Sequence, residues 1–275
     1  MTDAASPLDP EREAPELTLD LPRVVKHNWK GTELRDYWSD YLGPFPAAFK
    51  QAKVDAVLDD EHPRKLTVDT WKAEDVPGLI GSLPDEVQFA SQQRNQGTTI
   101  AIVNTSKISP EAVLNNELDP ILGMELQGVP HCCATAHHED RQNGYEDPMA
   151  SIARRTPSME DRGGELVVES PHHILNTFWA YMGWRFIEFY PCSFECDRAA
   201  DVASENGRLL REAGHGEMAE KVFKFIASPA KWSAYHGLAH VTNGYSLGEY
   251  TSDDNWIETS VRFAGYHAEK AEVPE

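Results

Sequence analysis

The chain has four cysteines, and they fall into two tight pairs. Cys132 and Cys133 are adjacent, Cys192 and Cys196 are separated by three residues, and a proline precedes each pair. Thiolates bind soft ions such as zinc, and they also hold iron–sulfur clusters. The two pairs therefore predict a single metal site, and they predict that the pairs meet in space.

The spacing within each pair bears on which metal is expected. Structural zinc is usually held by two CxxC-like pairs, whereas this chain has one CC pair and one CxxxC pair. That departure favours an iron–sulfur cluster as the cofactor, with zinc as the alternative. If a helix runs on from Cys133, His137 lies one turn further along the same face. The predicted metal ligands are therefore Cys132, Cys133, Cys192, Cys196 and His137.

Each pair needs a particular backbone to reach one ion. Neighbouring side chains of a strand point to opposite faces, so Cys132 and Cys133 can share an ion only if the chain turns there. Pro130 followed by a helix would supply the turn. In the second pair, Ser193 is a good N-cap, which would put Cys196 in the first turn of a helix. Free backbone N–H groups at that end stabilise a thiolate.

Three further residues are predicted as catalytic. Arg154 and Arg155 form a basic pair in an acidic chain and suit the carboxylate or phosphate group of a small anionic substrate. His236 lies in an aromatic, His-containing segment at 229–240 that suits the wall of a pocket. The chain contains no GxGxxG, phosphate loop, GxSxG or HExxH pattern, so the reaction itself is not indicated.

These residues leave three functions open. The leading hypothesis is a cytoplasmic, metal-dependent enzyme, an oxidoreductase or a sulfur-transfer enzyme, that acts on a small anionic molecule. The first alternative is a structural zinc-binding module without catalysis. The second is a thiol-redox or sulfur-handling protein, in which Cys132 and Cys133 cycle through a disulfide or persulfide and the other pair resolves it.

Charge and composition limit the partners. The formal net charge is −20, and an acidic surface repels both nucleic acid and anionic membranes. Neither is therefore expected as a partner, while the oligomeric state is left open. The first residues are polar and acidic and lack the basic start and apolar run of a secretory signal. Reduced thiols without such a signal predict a cytoplasmic protein.

The rest of the chain predicts an α+β or α/β fold, with a mixed sheet, packed helices and one main domain over residues 21–275. Residues 1–20, rich in Pro, Asp and Glu, predict a disordered acidic tail. Residues 76–83 predict a turn region, and 141–164 a long loop. Hydrophobic spacing and capping residues predict helices over 32–42, 47–58, 110–124 (as one helix or a broken pair), 172–182, 197–213 and 217–227. Strands are predicted over 98–103, 166–168, 185–190, 238–242 and 257–263.

Three short blocks resemble an uncharacterised family of bacterial and archaeal proteins that combines G-Y-P-x-C-C, P-C-S-x-x-C and W-S-x-x-H-G. Val129 replaces the family's aromatic residue, and Phe189 stands where the family often has a histidine, so position 189 is not expected to bind metal. The resemblance covers about the C-terminal half of the chain, and it implies that the blocks belong together without implying a reaction. The blocks read GVPHCC at 128–133, PCSFEC at 191–196 and WSAYHG at 232–237.

Overall fold

Groups of helices and groups of strands follow one another along the chain in the computed structural model. It describes residues 25–29, 32–143, 148–233, 238–241, 245–249 and 260–263. The tail predicted over residues 1–20 and the predicted catalytic residue His236 lie outside the described residues.

The described residues form nine α-helices and ten strands. The helices are α1 Thr32–Leu42, α2 Phe45–Leu58, α3 Val76–Ser82, α4 Pro110–Leu114, α5 Pro120–Leu126, α6 His131–Gln142, α7 Pro148–Arg155, α8 Asp197–Leu210 and α9 Gly216–Ile226. The strands are β1 Val25–Trp29, β2 Leu66–Trp71, β3 Gln88–Arg94, β4 Gly97–Val103, β5 Met159–Asp161, β6 Glu165–Val168, β7 Ala230–Ser233, β8 Leu238–Val241, β9 Tyr245–Glu249 and β10 Ser260–Phe263.

The larger sheet has seven strands in the order β1-β9-β8-β7-β10-β6-β5. Strands β10 and β6 pair in parallel, and the other neighbours pair antiparallel, so the sheet is mixed as predicted. Strands β10 and β6 contribute to the main core: Val261 and Phe263 of β10 and Val168 of β6 are each 0% exposed. Phe263 packs edge-on against Phe178 and Phe194, which connects the sheet to the segments that lead to the second cysteine pair.

The smaller sheet has three antiparallel strands in the order β2-β4-β3. It covers a second hydrophobic cluster, in which Val54 and Val57 of α2 pack with Ile100 and Ile102 of β4. Helix α2 also packs against α8, so it joins the two sheets into the single domain that the sequence predicts. The described residues contain no helix that is both long and apolar enough to cross a membrane.

A group of charged side chains lies at the junction that α2 makes. Lys53 is 1% exposed, and its Nζ donates to Asp69 Oδ2 on β2 at 2.7 Å and to Glu188 Oε1. Arg64, 4% exposed, also reaches Glu188, at 3.4 Å. Its side chain packs beneath Gly128, four residues before Cys132, while Glu188 is four residues before Cys192. The charge cluster therefore anchors both segments that carry cysteines.

Two glycines with left-handed backbone allow a matched test of packing. Gly183 (φ +76°) and Gly163 (φ +71°) both strain any residue that has a Cβ, but an added Cβ at 183 would also lie 3.0 Å from Pro46 Cγ. Nothing lies within 4 Å of the corresponding position at 163. We expect Gly163→Ala to cost about 1–2 kcal/mol from the backbone alone and Gly183→Ala to cost more. Urea unfolding measures the loss of stability in both variants. Equal losses in Gly163→Ala and Gly183→Ala would contradict the close packing of Pro46 against Gly183.

Candidate metal centre

Both cysteine pairs lie at the N-terminal end of a helix. Cys132 and Cys133 occupy the first turn of α6, which begins directly after its N-cap Pro130. Cys196 is itself the N-cap of α8, so the helix begins three residues later than the N-cap predicted at Ser193, and Cys196 precedes its first turn. The positive ends of two helix dipoles therefore meet at the thiols, and that favours negatively charged thiolates.

The four sulfur atoms form one compact group. The Sγ atoms of Cys132 and Cys133 lie 3.9 Å apart, and Cys196 Sγ lies 3.9 Å and 3.8 Å from them. With Cys192 included, all four sulfurs lie within 4.8 Å of one another. Ligands at the corners of a tetrahedron with metal–sulfur bonds of about 2.3 Å are separated by about 3.8 Å. The prediction that the pairs meet is confirmed, and the group can hold a metal ion.

One of the four cysteines is more deeply buried than the other three. Cys133 is 0% exposed, whereas Cys132, Cys192 and Cys196 are half-buried. The Cys192 backbone N–H donates to Cys133 Sγ at 3.3 Å, so the backbone of the second pair already binds a sulfur of the first. N–H donation of this kind stabilises a thiolate.

The contacts among Cys133, Cys192 and Cys196 shift the pKa values of these three thiols in different directions. Hydrogen bonds from Cys133 and Cys192 lower the pKa of the Cys196 thiol to about 2. The hydrogen bond to Cys192, that to Cys196 and burial raise the pKa of Cys133. The pKa of Cys192 is raised to about 12, because the interaction with Cys196 and burial outweigh the lowering by Cys133. The lowered pKa favours a thiolate at Cys196, and a bound cation would supply the positive charge that lets Cys133 and Cys192 lose their protons.

The loop that carries the second pair is held by the end of α7. The Phe194 N–H donates to Thr156 Oγ1 at 2.9 Å, and the Ser158 N–H donates to Glu195 Oε1 at 3.1 Å. Helix α7 lies inside the segment predicted as a long loop, so that prediction was wrong. Two signals could have identified the helix: Pro148 at its first position, and the buried residues Met149, Ile152 and Ala153 at helical spacing.

The predicted substrate-binding arginines lie at the C-terminal end of α7. Arg155 binds a carboxylate, but it is that of Asp140 on α6, through a pair of bonds of 2.5 Å and 2.9 Å. Its Nε also donates to the Cys192 carbonyl oxygen at 2.9 Å. Arg154 is exposed on the same turn. A substrate role for either arginine stays a prediction, and the Asp140 contact is one that sequence reasoning missed.

Two histidines of α6, His131 and His137, lie near the first cysteine pair in sequence, and neither belongs to the four-sulfur group. The predicted ligand His137 is absent from that group, and its ring stacks on Tyr190 with centroids 6.3 Å apart. Burial lowers the pKa of His137, which favours its neutral form. His131, the residue before Cys132, forms a hydrogen bond between its Nδ1 and Glu125 Oε1 at 2.7 Å. A ligand role for His137 stays a prediction.

Comparison with family models, with curated proteins and with solved structures gives no match. The resemblance to the bacterial and archaeal family therefore stays a prediction. The arrangement of the thiols is the feature of this chain from which function is argued.

Proposed function

We propose that this protein binds one zinc ion through Cys132, Cys133, Cys192 and Cys196, and that the ion joins two distant parts of the chain. The observation that carries the proposal is the spacing of the four sulfurs, all within 4.8 Å. Cys132 and Cys133 lie in the first turn of α6 and Cys196 caps α8, so a shared ion would fix the start of α6 against the start of α8. Binding of this kind contributes directly to folding free energy.

The sulfur spacing supports a single ion over the iron–sulfur cluster expected from the sequence. A tetrahedral ion with metal–sulfur bonds of about 2.3 Å holds its sulfurs about 3.8 Å apart. In a cluster the thiolates are distributed over several irons, which spreads the sulfurs more widely. Observed separations of 3.8–3.9 Å between three of the sulfurs match the single ion.

The ligand set supports zinc, and it supports a structural role over catalysis. Four thiolates in a tetrahedron suit zinc or iron, and zinc binds such sites more tightly than ferrous iron does. Catalytic zinc keeps one position open for water or substrate, whereas four thiolates close the coordination sphere. Arg155 is engaged with Asp140 and Cys192, so its contacts lend no support to an anionic substrate.

The surroundings of the proposed site follow from its chemistry. Four reduced thiols need a reducing compartment, so we place the protein in the cytoplasm. The net charge of −20 argues against nucleic acid and anionic membranes as partners.

Half-burial of Cys132 and Cys196, 3.9 Å apart, favours a thiol-redox role as the second candidate, because a disulfide between them would join the same two segments.

Cobalt substitution tests the proposal because Co(II) enters zinc sites and reports their geometry. We expect the metal-free, reduced protein to take up one cobalt per chain, with the intense visible absorption of a tetrahedral ion and sulfur-to-metal charge transfer in the near ultraviolet. Added zinc should bleach both. A weak, octahedral spectrum would contradict the four-thiolate site, and pairwise oxidation of thiols that bind no metal would favour the redox candidate.

A further inference from the structure

We infer that Arg155 is the residue that positions Cys192 as a metal ligand, by tying the Cys192 peptide to helix α6 through Asp140. The inference rests on the proposed metal site, to which it adds a positioning residue outside the ligand set. Three segments meet at this guanidinium: α7, which carries Arg155; α6, which carries Asp140 and the first cysteine pair; and the loop that carries Cys192.

The geometry of the contact is that of a two-sided clamp. Nη1 and Nη2 of Arg155 donate to Oδ1 and Oδ2 of Asp140 at 2.5 Å and 2.9 Å, and Nε donates to the Cys192 carbonyl oxygen at 2.9 Å. The guanidinium is planar and rigid, so three donors in one plane fix the Cys192 carbonyl relative to α6. Both side chains are partly buried, Arg155 with 34% and Asp140 with 21% of its surface exposed.

Cys192 is the ligand that most depends on such support. Cys132 and Cys133 lie within a helix and Cys196 caps one, whereas Cys192 lies in the loop before α8. Its peptide is held on both sides: the N–H donates to Cys133 Sγ, and the carbonyl accepts from Arg155. Partners that orient a metal ligand from outside the coordination sphere commonly change metal affinity by about 10–100-fold when they are lost.

The role of the arginine is geometric because its charge is already neutralised. Asp140 carries one negative charge and binds Arg155 in the paired, two-bond geometry that lysine cannot make. Lysine at 155 would keep the positive charge but could not bridge a carboxylate and a carbonyl in one plane. The clamp therefore predicts that lysine rescues metal binding only in part, whereas a purely electrostatic role predicts full rescue.

The test measures zinc affinity by competition with a chelator, and the cobalt spectrum, in the full-length protein. We expect Arg155→Ala to weaken zinc binding by about 10–100-fold and to reduce the intensity of the visible cobalt bands, with Arg155→Lys between it and wild type. Arg162→Ala is the matched control: Arg162 also binds two carboxylates, of Glu160 and Glu169, but on the β5–β6 hairpin. The zinc affinity and the cobalt spectrum of Arg162→Ala should equal those of wild type.

The outcomes separate this inference from the proposed function. If wild type binds cobalt through four thiolates but Arg155→Ala and Arg155→Lys bind like wild type, the positioning role is wrong and the metal site stands. If wild type gives no thiolate spectrum, both are wrong. Should Arg155→Ala fail to fold, Asp140→Asn replaces it, since it keeps the shape of the side chain and the Cys192 contact; unchanged zinc affinity in that variant would overturn the inference.

Discussion

Replacing Cys133 with serine is expected to remove the bound metal and to destabilise the protein by several kcal/mol. Cys133 is 0% exposed, and its sulfur lies 3.9 Å from Cys132 Sγ and 3.8 Å from Cys196 Sγ. A serine hydroxyl does not ionise near neutral pH, so three ligands would remain. Zinc bound by four ligands contributes about 10–16 kcal/mol in small zinc-binding peptides, and much of that binding would be lost.

His138→Ala is the control for the cysteine variant. His138 is on the same helix, and its Nε2 contacts Gln142 Nε2 at 2.8 Å one turn away. Loss of a residue outside the site should change stability by about ±0.5 kcal/mol and leave the metal in place. Metal content and thermal unfolding of both variants decide the matter. An unchanged metal content in Cys133→Ser, together with loss of the metal in His138→Ala, would mean that histidines rather than cysteines are the metal ligands.

The second large effect is expected at the charge cluster beneath the site. Lys53→Met should cost about 3–5 kcal/mol, the usual result of removing one partner from a buried ion pair. The loss leaves Asp69 and Glu188 partly buried, with Arg64 and Arg185 as the cations that remain near Glu188. Lys50→Met on the same helix is the control, since Lys50 Nζ donates to the Thr70 carbonyl at 2.7 Å and lies 5.8 Å from the centroid of the Trp71 ring, and it should cost about 1 kcal/mol.

The Lys53→Met effect should also depend on pH. Burial by itself raises the pKa of Glu188, but the positive charges of Lys53 and Arg64 outweigh burial and hold that pKa below its ordinary value. A lowered pKa in the folded state gives stability that is present above the unfolded pKa and lost as pH falls through the folded one. The free-energy gap between wild type and Lys53→Met should therefore be widest near neutral pH and narrow in acid. Urea unfolding across pH checks this; a gap that widens in acid would contradict it.

Segments with strong local signals were predictable from the sequence. The capping residue and apolar spacing of residues 32–42 predicted a helix, and α1 spans Thr32–Leu42. The β-branched run at 98–103 predicted a strand, and β4 spans Gly97–Val103. In each case the local preference and the tertiary environment agree, so nothing overrides the pattern.

Two other segments have the sequence pattern of a helix or a strand but form turns and loops. In both, side chains make hydrogen bonds with backbone groups that a regular helix or sheet would use. A helix was predicted over 172–182, but Asn176 Oδ1 accepts from the Phe178 N–H and Asn176 Nδ2 donates to the Ile226 carbonyl, leaving two 3-10 turns. A strand was predicted over 185–190, but the Phe186 carbonyl accepts from Asn206 Nδ2 in place of a neighbouring strand. Such local side-chain bonds compete with helices and sheets, and helical or β-strand spacing does not reveal them.

The meeting of the four cysteines was predictable from the sequence, but the contacts that support them were not. The chain has no other cysteine, so the two pairs predicted one group of thiols, and the four sulfurs lie within 4.8 Å of one another. The clamp between Arg155 and Asp140 depends on how α6 packs against α7, and the carbonyl that Arg155 binds belongs to a residue 37 positions away. Contacts of this kind come from tertiary packing and leave no pattern in spacing or composition.

Metal and sulfide analysis of the protein purified without oxygen tests the central claim most directly. We expect a colourless protein with one zinc per chain, no iron and no acid-labile sulfide, and loss of the zinc in Cys133→Ser. A brown protein with several irons and matching sulfide would show that the four cysteines hold a cluster. A full complement of free thiols without any metal would contradict the metal site itself.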